Sequence, residues 1–187
     1  MQATIHEAGD KGDIMRKVAI IGSGGAGKST LAEQIGVILN LPVHHLDALF
    51  WKPDWELVSK EEQTKVQERL LQKESWICDG NYNRTMELRF QAADTIIFLD
   101  LPRSVCLYRV LKRQMHYFNR TRPSMGEGCK ERISPAFLKW VWQYPRHKRP
   151  HVVARLEPLS FEKKVLILSS RKEVERFVKD LEFEHGS

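Results

Sequence analysis

The sequence predicts a three-layer α/β fold built on a parallel sheet, and three observations predict it. Short apolar runs alternate with helical patterns, a glycine-rich loop joins the first run to the first helix, and Asp47, Asp79 and Asp100 close three of the later runs. Such alternation points to strands buried on both faces and joined by crossover helices. A chain of 187 residues that is 42% apolar is of a size to bury a full core.

Residues 1–15 are polar and unpatterned and end on Met15, so they are expected to be a disordered or tag-like extension of one domain over 16–187. Lys17 to Ile21 is the first strand. Gly22 to Ser29, GSGGAGKS, then fits G-x-x-x-x-G-K-[ST] without a mismatch. A loop of this kind turns its backbone N–H groups onto phosphate oxygens, and Gly22, Gly24, Gly25 and Gly27 are expected to supply the positive φ values it needs. Lys28 would sit on the β- and γ-phosphates, and Ser29 would give its hydroxyl to Mg²⁺. Ser23, Ala26 and Thr30 complete the candidate cofactor loop, and the following helix aims its N-terminal dipole at the anion. Gly22, Gly24 and Gly27 also satisfy G-x-G-x-x-G, with Asp47 near the distance of a dinucleotide ribose acid. Lys28 and Ser29 decide for the triphosphate loop, because a dinucleotide turn has no use for them.

Asn40-Leu41-Pro42 ends the first helix, and Val43 to Leu46 reads as a second strand finishing at Asp47. An acid at the carboxyl edge of a parallel sheet suits an acceptor hydroxyl; the alternative for Asp47 is a helix N-cap. Phe50, Trp51 and Trp55 follow. They suit either the wall of a ring-shaped substrate or packing under a flap. Ser59 to Lys73 is an amphipathic helix opened by a Ser59/Glu62 capping box.

Trp76 to Asp79 is the third strand, followed by Gly80, Asn81, Tyr82, Asn83 and Arg84. Asp79 is the first candidate for the carboxylate that holds Mg²⁺, since the Gly80 turn lets backbone approach a substrate. Asp100, after the strand Thr95 to Leu99, is its rival. Gly80, Asn81 and Arg84 are candidate acceptor contacts.

Arg103 to Arg120 is helical, with Arg109, Lys112 and Arg113 on one or adjoining faces. A stripe of this kind is either a solvated face or, beside a triphosphate, the positive surround that phosphoryl transfer needs. Thr121 to Gly128 is a glycine-bearing lid tip carrying Arg120 and Arg122, inside a lid of about 113–133. Ser134 to Tyr144 is an aromatic core helix expected to stop before Pro145. Lys164 to Leu168 is the last strand. Ser170 and Arg171 begin the turn expected near an adenine base, and a helix runs on through Leu181.

The formal charge of +6 is unevenly spread. Arg103 to Arg149 holds 12 Lys and Arg against Glu127 and Glu131, a net of +10 that leaves the remainder at −4. The segment suits nucleic acid or a bound triphosphate with its acceptor, and its interleaving with the lid pattern favours the second. Cys78, Cys106 and Cys129 lack C-x-x-C spacing, which speaks against a disulfide framework or zinc site. No apolar run is long enough to span a bilayer and no signal core opens the chain, so a cytoplasmic location without membrane contact is expected. No heptad or apolar stripe fixes an oligomeric state.

Assembled, these residues resemble the small P-loop kinases, the adenylate, shikimate and related metabolite kinases, over Arg16 to about Leu181. Within that group HLDALFW, DGNY, ADTIIFLDLPR, TRPSMGEGC and the later KW and KRP resemble the adenylate-kinase-related DNA topology modulation proteins. The resemblance implies a P-loop NTPase fold with a five-stranded parallel sheet and an arginine-rich lid, and ATP with Mg²⁺ as cofactors. It implies Asp79 near the metal and Arg109 and Arg113 on the phosphates. Adenylate kinases read D-G-F-P-R after the third strand, with the arginine on the acceptor phosphate. Asn81-Tyr82-Asn83-Arg84 stands there instead, so an AMP acceptor is not implied. The expected activity is transfer of the ATP γ-phosphoryl to a small acceptor, a nucleoside, nucleotide or hydroxy metabolite. The alternative is an ATP-binding regulator that meets nucleic acid or modulates DNA topology through the basic lid segment.

Overall fold

In the computed structural model, residues 15–185 are described. The proposed N-terminal extension therefore lies outside the described residues, apart from Met15, which is buried against the core. In chain order the elements are β1 (Lys17–Gly22), α1 (Lys28–Leu39), β2 (Val43–His45), α2 (Leu46–Phe50), β3 (Trp51–Lys52), β4 (Glu56–Leu57), α3 (Lys60–Leu71), β5 (Trp76–Asp79), α4 (Asn83–Ala92), β6 (Thr95–Leu99), α5 (Arg103–His116), α6 (Pro135–His147), α7 (Arg149–Leu159), β7 (Lys164–Leu168) and α8 (Arg171–His185).

Five strands form one parallel sheet in the order β2-β5-β1-β6-β7. The central strand, KVAIIG, is rich in β-branched residues and buried on both faces after Lys17. Alternate strand residues feed two cores. Val18, Ile20, Ile77, Ile97 and Leu99 pack with Leu31 and Ile35 of α1 and Val178 and Leu181 of α8. Ala19, Ile21, Trp76, Cys78, Ile96 and Phe98 pack on the other face with Leu70 of α3, Met86 and Phe90 of α4 and Leu156 of α7. A parallel sheet covered by helices on both sides is the three-layer α/β fold expected, with the five strands where the apolar runs lie.

β1 sits between β5 and β6, and the chain leaves β1 toward β2 at one edge and leaves the neighbouring β6 toward β7 at the other. The carboxyl end of β1 is thus a topological switch point, where an open sheet binds ligands. Register aligns the relevant ends: Ile20 lies opposite Asp79 in β5, and His45 of β2 opposite the same Asp79.

Three departures from the sequence expectation have local causes. The second strand stops at His45, and Leu46 opens the five-residue helix α2, so Asp47 lies in a helical first turn and neither closes a strand nor occupies an N-cap. Leu46 is fully buried and lies against the turn after β5, where a Cβ on Gly80 would come within 2.8 Å of the Leu46 Cβ. Burial of that side chain pulls the chain out of the strand. Helix α6 passes through Pro145 to His147, where the missing N–H falls in the last turn and only one helical bond is lost. Helix α7 is unannounced in sequence because it carries Pro150 and Pro158 and buries only Val152 and Leu156. Pro150 lies in its first turn, where no N–H is needed. Between β3 and β4, Asp54 and Trp55 take left-handed φ values of 60° and 64° to close a small antiparallel hairpin.

Candidate active site

The loop leaving β1 wraps the start of α1. Gly22, Gly25 and Gly27 have φ of 145°, 78° and 99°, as the loop pattern demands. Gly24 does not take a positive φ; it is small for another reason. A Cβ there would lie 2.6 Å from Cζ of Phe137 on α6, so glycine lets that helix pack onto the loop. Lys28 Nζ donates to the Ser23 carbonyl at 2.9 Å, bracing the curve of the loop. Burial pushes its pKa down, and Asp47 and Asp79 act in the opposite direction.

Ser29 Oγ donates to Asp79 Oδ2 at 2.7 Å, and His45 Nδ1 lies 2.6 Å from Asp79 Oδ1. The His45 ring also faces Glu33, with Nε2 3.6 Å from Oε1. The hydrogen bond to Asp79 is the largest cause raising the His45 pKa, against desolvation. Asp100 is engaged elsewhere, accepting Arg149 Nε at 2.8 Å. Of the two rival acids, Asp79 is the one beside Ser29.

Across the cavity, Asp47 accepts from Tyr82 Oη at 2.9 Å and from Arg122 Nη2 at 2.9 Å. Burial is the main cause raising the Tyr82 pKa, with Asp47 adding to it, so the phenol stays a donor. Arg122 and Arg113 both reach Glu131, with Nε atoms 3.5 Å and 3.1 Å from Oε1. Neither Nε is aligned as a hydrogen bond, so the contacts are ion pairs of a buried acid with two guanidinium groups. Arg109 Nη1 donates to the Ala26 carbonyl at 3.2 Å.

These groups surround a cavity of about 660 Å³. Gly24 to Thr30, Asp47, Asp79, Gly80, Asn81, Arg109, Arg113, Arg122 and Arg171 of the expected residues line it. Others do not. Gly22 and Ser23 lie outside the lining, and Ser170 accepts the Glu173 N–H at 3.2 Å. Arg84 and Arg120 are exposed and lie outside the lining. Phe50 is fully buried edge-on to Tyr82, and Trp51 packs against Trp55, so the expected aromatic wall is not formed by these residues. Their sequence position beside Asp47 misleads because α2 rotates Phe50 inward. Phe137 and Trp140, stacked at 5.7 Å, line the cavity instead.

His45, Tyr82, Glu131 and Arg89 were not singled out by sequence. His45 and Tyr82 stand in the HLD and DGNY runs, which is the one signal for them. Arg89 is fully buried and donates to Gln67 Oε1, Thr85 Oγ1 and the carbonyls of Gly80 and Tyr82, tying down the turn after β5.

The lid is fastened to the β3–β4 hairpin. Trp55 Nε1 donates to the Lys130 carbonyl at 2.8 Å, Cys129 Sγ to the Lys52 carbonyl at 2.9 Å, and Gly126 lies against the Trp51 carbonyl.

No protein-family model matches the sequence, and no curated relative does. Solved structures match over nine-tenths of the chain. A shikimate kinase from Bacteroides thetaiotaomicron aligns with a TM-score of 0.53 at 16% identity, covering 92% of this chain and 99% of its own. Shikimate kinase from Acinetobacter baumannii, solved in complex with shikimate, aligns at 0.52 and 13%, covering 92% and 94%. A provisionally assigned kinase from Chloroflexus aurantiacus aligns at 0.51 and 18%, covering 91% and 98%.

The fold is that of the P-loop kinases.

In that P-loop kinase fold the loop, Asp79 and Asp47 all stand at the carboxyl edge of the sheet. The narrower resemblance to DNA topology modulation proteins finds no support among these structures. Among the described residues no helix is long and apolar enough to cross a membrane. The donor set fits magnesium triphosphate: a loop of backbone N–H groups with Lys28, and the hard oxygens of Ser29 and Asp79 at one point.

Proposed function

We propose that the protein transfers the γ-phosphoryl group of Mg·ATP to a hydroxyl of a small acceptor. The observation that carries this is the opposition of two acids in one cavity: Asp79 against Ser29 of the loop, and Asp47 beyond it, oriented by Tyr82 and Arg122. One acid suits a metal and the other a hydroxyl.

Mg·ATP supplies the activated phosphoryl group and neutralises charge on its phosphates. Lys28 and Arg109 hold the donor, with the loop N–H groups. Asp47 orients the acceptor hydroxyl and takes its proton as the new phosphorus–oxygen bond forms and ADP leaves. Lys28 and Arg109, which no carboxylate pairs among the described residues, also offset the spreading equatorial charge, while Arg113 and Arg122, held by Glu131 and Asp47, line the wall beside it, and the lid excludes water. Most of the rate comes from positioning and charge. The kinases that share the fold support transfer as the reaction class, while their acceptors do not carry over at this identity.

The test is ADP release from Mg·ATP across nucleosides, nucleoside monophosphates, sugars and hydroxy acids. Stimulation by one class, abolished in a folded Lys28→Ala protein, is expected. Undiminished turnover in Lys28→Ala overturns the assignment.

A further inference from the structure

Positive charge along the cavity is divided into a free end and a committed end. Lys28 and Arg109 contact only carbonyls, of Ser23 and Ala26, and among the described residues no carboxylate pairs with either. They stand at the P-loop. Arg113 and Arg122 lie toward Asp47, and both are matched: two guanidinium charges face the buried Glu131 carboxylate and the Asp47 carboxylate. The other cation lining the cavity, Arg171, is paired with Glu175 at 2.6 Å. Arg84 and Arg120 do not reach the cavity. Apart from these ions, the lining contributed by the turn after β5 and by the lid is uncharged, Gly80, Asn81, Pro123 and Ser124, and Lys28 at the P-loop is the unpaired cation whose charge Asp47 feels. Asn81 lines the cavity and its amide also meets the Tyr144 hydroxyl behind it.

We propose that the acceptor is a small, uncharged polyhydroxyl compound carrying neither carboxylate nor phosphate, a class that deepens the phosphoryl-transfer reading and rests on it. An anionic acceptor here must draw Arg113 or Arg122 from Glu131, leaving a buried acid uncompensated, or must compete with the donor phosphates for Lys28. Movement of Arg122 onto the transferring phosphoryl group does not help an anion, since it bares the Asp47 charge. A neutral polyol meets none of these costs and offers a hydroxyl to Asp47 within a lining that is otherwise uncharged at Gly80, Asn81 and Ser124.

The experiment is ADP release by the full chain at saturating Mg·ATP with matched compounds: ribose and ribose 5-phosphate, glycerol and glycerol 3-phosphate, glucose and gluconate, inositol and quinate. The expected result is stimulation by a neutral member, with kcat/KM for its anionic counterpart at least about tenfold lower. Equal or better use of an anionic member overturns the neutral-acceptor proposal and leaves phosphoryl transfer standing. A flat panel overturns the neutral-polyol proposal, and if nucleosides and nucleoside monophosphates are flat as well while Mg·ATP still binds by calorimetry, phosphoryl transfer falls with it. Glu131→Gln adds a second reading: removing one buried charge is expected to raise the anion-to-neutral ratio several-fold, by about the penalty of one uncompensated charge. An unchanged ratio in a folded variant overturns the charge argument, and if that variant fails to fold the matched panel decides.

Discussion

Ser29 and Asp79 are fifty residues apart in the chain and joined by a 2.7 Å hydrogen bond from Oγ to Oδ2. Neighbouring parallel strands bring them together, since β5 pairs with β1 and both end at the same edge. Asp79→Asn keeps the shape but removes the charge, so turnover should fall by roughly two orders of magnitude. Asp100→Asn should lose less than about tenfold, because Asp100 is paired with Arg149. Steady-state ADP release as a function of Mg²⁺ measures both, and a larger loss at Asp100 would reverse the assignment of the metal carboxylate.

His45 makes stability depend on pH in the metal-free protein. Asp79 is the main group raising its pKa, with Glu33 and Asp47 adding to it, while burial opposes the shift. His44 beside it is shifted down by burial, with Lys73 and His45 contributing. For a histidine whose folded pKa is raised, the stabilisation is fully present below the unfolded value and is lost as pH rises through the folded value. The stability gap between wild type and His45→Gln should therefore be widest at about pH 5.5–6 and close as pH rises past the raised pKa. Urea unfolding at a series of pH values reads it; a gap that widens with pH contradicts the pairing.

Gly126 lies so close to the Trp51 carbonyl that a Cβ has no room, and the obstructing atom is backbone. Gly126→Ala should cost about 1–3 kcal/mol by forcing the lid from the hairpin. Limited proteolysis should then cut first within 117–134. Equal stability and an unchanged cleavage pattern would show that lid and hairpin are not fastened there.

Arg89 is buried with no carboxylate paired to it among the described residues, and desolvation is the main cause lowering its pKa. Its hydrogen bonds go to the Gly80 and Tyr82 carbonyls, Gln67 and Thr85. Arg89→Met should destabilise by about 2–4 kcal/mol, because it leaves several buried acceptors unsatisfied. Chemical denaturation measures the loss, and a variant as stable as wild type would mean the turn after β5 holds itself.

Much of the fold was legible. The strand runs at 17, 43, 76, 95 and 164 appear as strands because apolar β-branched clusters bounded by turn residues have few other ways to be buried. The loop geometry at Gly22, Gly25 and Gly27 also follows locally, from positive φ that other residues resist. Helix α7 was not legible, as its two prolines and sparse apolar pattern carry little periodic signal.

What the sequence by itself determined is therefore local: strand runs, a phosphate-binding loop, and a basic segment reaching from Arg103 to Arg149. What only the tertiary structure decided is partnership at long range. The pairing of Ser29 with Asp79, the turning of Phe50 into the core, the fastening of the lid to the hairpin, and the sharing of Glu131 by Arg113 and Arg122 all join residues from different elements. Periodicity and loop chemistry act over a few residues, whereas a charge is free or spent according to what the packed sheet and lid bring within a few ångströms of it.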